Sequence, residues 1–222
     1  MLETIFDLQG LDMYSPLFKG KFPWEWIKVL EKYLYDGYKT SRVCHPVTGA
    51  TLVEVSGPIH IGREVTLRSG AVIYGPAYIG DGCIIGHNAL VREGCMLMGR
   101  NTIGHCSEVK RSILFPGAHL AHRNYVGDSV LGSEVNFGNG SCVANLLGNG
   151  SKEKTVRVML EQDDSDLMPI DTGLRKFGAL VGDRTRIGCN SVLNPGTILG
   201  EDSLVLSCVN VIGTHKAGSK LR

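Results

Sequence analysis

The sequence has no excess of charge of one sign, no long apolar run and no paired-cysteine motif, and each absence excludes something. Lysine and arginine number 23 against 22 acidic residues, a formal net charge of +1. That balance fits neither a broadly basic nucleic-acid binder nor a charged disordered chain. No apolar stretch approaches the roughly 20 residues that span a bilayer. The N-terminus lacks the basic and then apolar succession of a signal peptide. The seven cysteines (Cys44, Cys83, Cys95, Cys106, Cys142, Cys189 and Cys208) are odd in number and form no C-x-x-C pair. Reduced thiols, several at small core positions, and a cytoplasmic protein are expected. What is abundant is glycine, 29 of 222 residues, well above the usual ~7%. Many tight turns follow, and 222 residues can bury a real core without disulfides or a structural metal.

The turns are regularly spaced. From Val55 every sixth residue is apolar: Ile61, Leu67, Ile73, Ile79, Ile85, Val91, Leu97, Ile103, Val109 and Phe115. At this composition such a run arises by chance in about one frame in ten thousand. Four residues after most anchors stands a small or aliphatic side chain, as at Ile59, Val65, Ala71, Ala77, Cys83, Ala89, Cys95, Ser107 and Ile113. The pattern resumes at Tyr125, Leu131, Phe137 and Val143, and again from Val181 through Ile187, Leu193, Leu199 and Val205 to Val211. A helix cannot hold a six-residue period with a glycine in nearly every turn, and a flat amphipathic strand alternates every two residues. Short strands meeting at corners satisfy both demands.

Three stretches break the period. Residues 1–48 form an N-terminal extension with one helix-like segment, Pro23 to Tyr35, whose Trp24, Trp26, Ile27, Leu30, Tyr33 and Leu34 make an apolar stripe. It is expected to cap the open end of a solenoid. The register slips between Phe115 and Tyr125. Within the solenoid, residues 49–222, an insertion at 149–175 carries Lys152, Glu153, Lys154, Arg157, Glu161, Asp163, Asp164 and Asp166, which suits a looped-out arm.

Residues 18 apart stack on adjacent coils, roughly one strand spacing of ~4.8 Å. Arg92 and Lys110 are such a pair. Two stacked cations call for an anion between or beside them, and a phosphate would fit both a guanidinium fork and an ammonium. Solvation of both side chains is the alternative. His87 and His105 stack likewise, but zinc would need a third ligand at the right distance, and no metal is expected. His119 and His122 lie at the register break, where local rules fail most often at functional sites. An imidazole there can take a proton from an amine or hydroxyl, or can simply fill a turn.

The six-residue pattern resembles the hexapeptide-repeat family, whose members coil three hexads into each turn of a left-handed parallel β-helix. The resemblance therefore implies an all-β fold with a short N-terminal helical extension, about seven coils between Val55 and Lys216, and a handedness opposite to ordinary crossovers. The segments Ser107-Glu108-Val109-Lys110, His122-Arg123-Asn124-Tyr125-Val126-Gly127-Asp128, Val135-Asn136-Phe137-Gly138-Asn139-Gly140-Ser141 and Ala144-Asn145 look like one branch of it. That branch is the acetyltransferase half of the bifunctional glucosamine-1-phosphate acetyltransferase/N-acetylglucosamine-1-phosphate uridyltransferases. The run from Asp171 to Asp183, and Pro23-Trp24-Glu25, are similar to archaeal-type sugar-phosphate nucleotidyltransferases with the same β-helix.

The resemblance implies an acetyl-CoA-dependent N-acetyltransferase acting on an amino-sugar phosphate, glucosamine 1-phosphate above all, in nucleotide-sugar biosynthesis. His122 would be the general base, and Asn145 would orient amine and base. Arg92, Lys110, Tyr125 and Asn136 would hold the sugar phosphate. Lys176 from a neighbouring subunit, with Cys189 and Ser207, would meet acetyl-CoA. A homotrimer follows, with exposed apolar Tyr74, Tyr78, Met96 and Met98 as interface candidates. Departures are Gly138-Asn139-Gly140-Ser141, where the family has G-A-G-T, and Leu146, where an aromatic is usual. No nucleotidyltransferase half is expected, since a G-x-G-T-R-type loop is absent and 54 residues precede the first hexad. A separate nucleotidyltransferase partner is conceivable. The alternative function is a non-catalytic trimeric binding or regulatory module of such a system.

Overall fold

In a computed structural model, residues 5–20, 22–44, 49–148, 154–161 and 167–222 are described. The chain winds into a left-handed parallel β-helix of about nine turns. Its three faces are parallel sheets of nine, eight and eight described strands. The first face runs from Arg42–Val43 through Ile59–Ile61 and Cys95–Leu97 to Thr214–His215. The second includes Val72–Tyr74, Leu90–Val91, Glu108–Lys110, Tyr125–Gly127 and Cys142–Val143. The third includes Ile84–Ile85, Thr102–His105, His119–His122 and Asn136–Phe137. More coils fit than the spacing suggested, because winding starts at Arg42, whose strand pairs with Ile59–Ile61, and continues to Leu221, which pairs with Val205.

The prism interior is a column of aliphatic side chains. Ile61, Ile73, Ile79, Ile85, Val91, Leu97, Ile103, Val109 and, later, Leu193, Leu199 and Val205 are fully buried. At ~25 cal/mol per Å² of apolar surface removed from water, each contributes about 1.5–3 kcal/mol. Three expected anchors, and one residue expected at the small position, sit elsewhere. Val55 is 94% exposed. Phe115 lies outside the prism, its place inside taken by Leu114. Ile113 likewise packs outside. Tyr125 faces outward, and Val126 enters the core. The register slip is thus two slips, each one residue short: Val109 to Leu114 and Val126 to Leu131. Consecutive coils accordingly pair Val109 with Val126 and Leu114 with Leu131. Both deletions fall at the corner between the second and first faces. There Ser112 and Ser129 restore lost backbone bonds: Ser112 Oγ accepts from Ser129 N (3.1 Å), and Ser129 Oγ from Ala179 N (3.0 Å).

The helix α1 (Pro23–Gly37) starts at a proline, where the missing N–H is not needed, with the Glu25 carboxylate accepting from Phe22 N at 3.2 Å. It does not cap the open end. Its buried Trp24, Trp26, Ile27, Leu30 and Leu34 lie along the first face, together with Ile5, Phe6, Leu11, Tyr14 and Leu17. This layer covers Tyr78, Met96, Met98, Ile113, Phe115, Val130, Leu180 and Ile198. A row of apolar residues facing out of a sheet must be covered, and the chain covers it itself. Tyr78, Met96 and Met98 are therefore buried within the protomer and are not free for a subunit interface.

The insertion is an antiparallel hairpin, Arg157–Glu161 against Leu167–Asp171, that docks on the same face through Val156, Val158 and Leu160. Thr214 Oγ1 donates to its Met159 carbonyl. Lys152, Glu153, Asp163, Asp164 and Asp166 lie outside the described residues.

Candidate active site

Two columns of side chains border the second face. At the corner entered from the third face, His87, His105, His122, Asn139, Cys189 and Ser207 stand one above another. A ladder of corner bonds fixes them: Cys106 N to His87 O (3.1 Å), Arg123 N to His105 O (2.9 Å), Gly140 N to His122 O (3.0 Å), Asn190 N to Asn139 O (2.9 Å) and Cys208 N to Cys189 O (2.8 Å). The donor residue after each column position has positive φ, as at Cys106, Arg123, Asn190 and Cys208, which turns the corner. Three of the sequence-identified residues, His122, Cys189 and Ser207, thus share one exposed edge. Behind His122 the buried Asn124 accepts from the His122 N–H at 3.0 Å and donates to Gly138 O at 2.7 Å, which locks that corner. Asn136 lies exposed on the third face, in register with His119 and Arg186. Among the described residues no three His, Cys, Asp or Glu groups converge on a metal-sized point.

On the second face itself stand Arg92, Glu108, Lys110 and Tyr125. Arg92 and Lys110 stack as their spacing requires. The anion beside them is Glu108, whose Oε1 accepts from Arg92 Nη1 at 3.1 Å, and Glu93 lies 3.8 Å away. Among the described residues Lys110 Nζ makes no hydrogen bond or ion pair. Tyr125 is half-buried. Its phenol is pushed above the ordinary value by burial, reinforced by the Asp128 and Glu108 carboxylates. It therefore stays protonated, with an O–H to donate.

At the far corner, where both deletions fall, Arg111, Asp128 and Asn145 form the other column. Asn145 Nδ2 donates to Tyr125 Oη at 3.2 Å and to Asp128 Oδ2. Arg111 Nε donates to Asp128 Oδ1, and Arg111 Nη2 to the Lys176 carbonyl at 3.4 Å. Phe177 N donates to Asn145 O at 3.0 Å, and Leu146 bridges Lys176. The return of the hairpin arm is thereby tied to the loop bearing Asn145. A groove of about 520 Å³ opens beside it, lined by Leu147, Lys154, Thr155 and Arg157.

Within one chain the structure brings together Tyr125, Asn145, Arg92 and Lys110 in one group, and His122, Cys189 and Ser207 in another. Lys176 joins the first group, by its backbone, and not the column of Cys189 and Ser207. No described contact links His122 to Asn145; they sit at opposite edges of the second face. Glu108, Arg111 and Asp128 were missed by sequence reasoning. Arg111 and Asp128 are 17 residues apart and straddle the slip, a spacing that a strict 18-residue comparison passes over.

A family model, bacterial transferase hexapeptide (six repeats), matches residues 58–93. A bifunctional sugar-1-phosphate nucleotidylyltransferase/acetyltransferase of Sulfurisphaera tokodaii is 38% identical over 148 residues, which is 67% of this chain and 35% of that protein. The bifunctional protein GlmU of Methanocaldococcus jannaschii is 30% identical over 194 residues, covering 84% of this chain and 43% of the relative. The chain thus spans well under half the length of these relatives. Among solved structures, the acetyltransferase domain of PglB from Neisseria gonorrhoeae aligns with 70% of this chain and 53% of its own, at 17% identity and a TM-score of 0.38, too slight a likeness to say more. The chain is a hexapeptide-repeat β-helix protein, homologous to the bifunctional sugar-1-phosphate nucleotidyltransferase/acetyltransferases.

Proposed function

We propose that this chain is an acetyl-CoA-dependent N-acetyltransferase whose acceptor is an amino-sugar phosphate, glucosamine 1-phosphate in the simplest case. The observation that carries the reading is the second face. Two stacked cations, a protonated phenol and an amide share one solvent-facing strip, with an exposed imidazole at its edge. Arg92 and Lys110 would receive the phosphate, and Tyr125 would donate to it or to a ring hydroxyl. Asn136, on the next face, would reach the sugar from its other side. The name of the Sulfurisphaera tokodaii relative includes acetyl transfer beside sugar-1-phosphate nucleotidyl transfer, and acetyl transfer is the activity proposed for this chain.

The chemistry asked of the protein is modest, because a thioester is already electrophilic. His122 takes the proton as the amine nitrogen attacks the acetyl carbon, and returns it to the CoA sulfur as the carbon–sulfur bond breaks. Lys176, Cys189 and Ser207 would line the path of acetyl-CoA. Since His122 and Asn145 lie at opposite edges of one prism, a neighbouring prism would close the site. This favours a homotrimer built on the second and third faces, the first being covered by the chain's own layer.

His122→Ala tests the reading. Turnover should fall by roughly 10²–10⁴, the worth of a positioned general base. Acetyl-CoA affinity and melting temperature should stay close to wild type. The wild-type rate should climb with pH as the acceptor ammonium loses its proton. Equal turnover in both proteins would remove His122 from catalysis. No turnover in either, with sugar phosphate still bound, would favour the binding-module reading, to which Leu146 in place of an aromatic also points.

A further inference from the structure

The column Arg111–Asp128–Asn145 exists only because two successive coils drop one residue at the same corner, Val109 to Leu114 and Val126 to Leu131. Arg111 (φ 40°) and Asp128 (φ 53°) both take left-handed backbone there, as the residues that turn the other corners do. The Asp128 side chain is fully buried, that of Arg111 28% exposed. A buried carboxylate persists only if paired and hydrogen-bonded. Asp128 is: Arg111 takes one oxygen and Asn145 the other.

This arrangement decides something that an amide does not decide for itself, namely which way it faces. The carboxylate of an ion pair only accepts, so Asn145 must turn its NH₂ toward Asp128. The same nitrogen reaches Tyr125 Oη at 3.2 Å. Space is reserved for this contact at Gly127, where a Cβ would come within 2.6 Å of both Asn145 Nδ2 and Tyr125 Oη. The Asn145 backbone is held separately, through its carbonyl, by Phe177 N. What remains is Asn145 Oδ1, with no partner among the described residues on a half-buried side chain.

We infer that Asp128, clamped by Arg111, is a positioning residue that fixes the Asn145 amide so that its carbonyl oxygen faces the incoming amine as an acceptor. This rests on the N-acetyltransferase reading above. An outward oxygen holds the amine through an N–H and leaves its lone pair for the acetyl carbon. An outward NH₂ would instead oppose the N–H bonds of the amine and compete for that lone pair.

The isosteric exchange Asp128→Asn should invert the device. Arg111 would hold the new carboxamide oxygen, the new NH₂ would face Asn145, and Asn145 would be obliged to turn its oxygen inward. The expected result is a 10- to 100-fold fall in kcat/KM for glucosamine 1-phosphate, the worth of one misplaced hydrogen bond to a charged group. Binding of 2-deoxyglucose 1-phosphate, which carries no donor at that carbon, should be unchanged, as should the KM for acetyl-CoA. The double variant Asp128→Asn with Asn145→Asp offers an outward acceptor again and should recover at least about tenfold. A purely structural Asp128 would lower both ligands' affinity along with the melting temperature and would show no rescue. That outcome, or an unchanged kcat/KM in Asp128→Asn, overturns the inference. Exchange of the Asn145 side-chain amide protons with water, followed by NMR, reads the orientation without turnover: slow in wild type, fast in Asp128→Asn. A wild type that neither binds nor acetylates any amino-sugar phosphate would defeat the function while the exchange rates still report on the clamp. Equal exchange rates would defeat the clamp alone.

Discussion

Glu108→Gln separates a phosphate-receiving cation pair from a plain surface ion pair. Arg92 is held by Glu108 at 3.1 Å, and the two side chains are 38% and 32% exposed. A phosphate arriving between Arg92 and Lys110 meets two positive charges and this one carboxylate. Unit charges 4 Å apart interact by about 1 kcal/mol in water and about 4 kcal/mol at an effective dielectric constant of 20. For groups about a third exposed and a slightly longer separation, about 1–2 kcal/mol of repulsion is reasonable, a factor of roughly 5–30. Removing the charge should therefore strengthen binding of glucosamine 1-phosphate by that factor. Arg92→Ala should weaken it by about 1.5–3 kcal/mol, the range for charged hydrogen bonds. Neither change should move the melting temperature much, since an exposed pair contributes about 0–1 kcal/mol. Titration calorimetry at fixed, low ionic strength measures both. If Glu108→Gln binds the phosphate no better than wild type, the anion does not sit between Arg92 and Lys110.

Phe115→Ala should destabilise the protein by about 3–5 kcal/mol. It should also couple to Phe18→Ala by about 0.5–1.5 kcal/mol, because the rings lie 5.6 Å apart outside the prism; additive denaturation midpoints would return Phe115 to the interior. Asp183 is buried and accepts from Asp7 N (2.8 Å) and Ser133 N (2.7 Å), and burial raises its carboxyl above the ordinary value. A raised carboxyl adds stability below its unfolded value, and that stability is lost as pH rises through the folded one. Wild type should therefore gain on Asp183→Asn as the pH falls into the ordinary carboxylate range, and a wild-type urea midpoint that drops relative to the variant's on acidification would contradict this. Light scattering should give three times the chain mass at micromolar concentration, whereas a monomer would argue against a shared site.

Much of this molecule is legible in its sequence. The six-residue rhythm announces the prism because each coil must put one large aliphatic inward per face, and Ile61 to Val109 obey without exception. The rhythm misleads at Phe115 and Tyr125 because a one-residue deletion leaves apolar residues on both sides of the slip; only pairing shows that Leu114 and Val126 go inside. The placement of α1 was hidden for a related reason. The residues it covers, Met96, Ile113, Val130 and Ile198, alternate with core residues and read as more repeat, so the outward row was not visible as a surface needing a partner. At the site, Arg92 and Lys110 were found by stacking. Glu108, two residues before Lys110 and opposite Leu90, was passed over because it fits the polar half of an ordinary strand.

The central claim is that this β-helix transfers acetyl groups to an amino-sugar phosphate, and release of free CoA thiol tests it most directly. Purified protein is mixed with acetyl-CoA and, in turn, glucosamine 1-phosphate, a galactosamine phosphate, a 4-amino sugar phosphate and glucosamine without phosphate. The expected result is thiol release matched mole for mole by N-acetylated sugar, with a phosphorylated amino sugar well ahead of free glucosamine. Thiol release no faster than spontaneous hydrolysis for every acceptor, from protein that is folded and assembled, would contradict the claim.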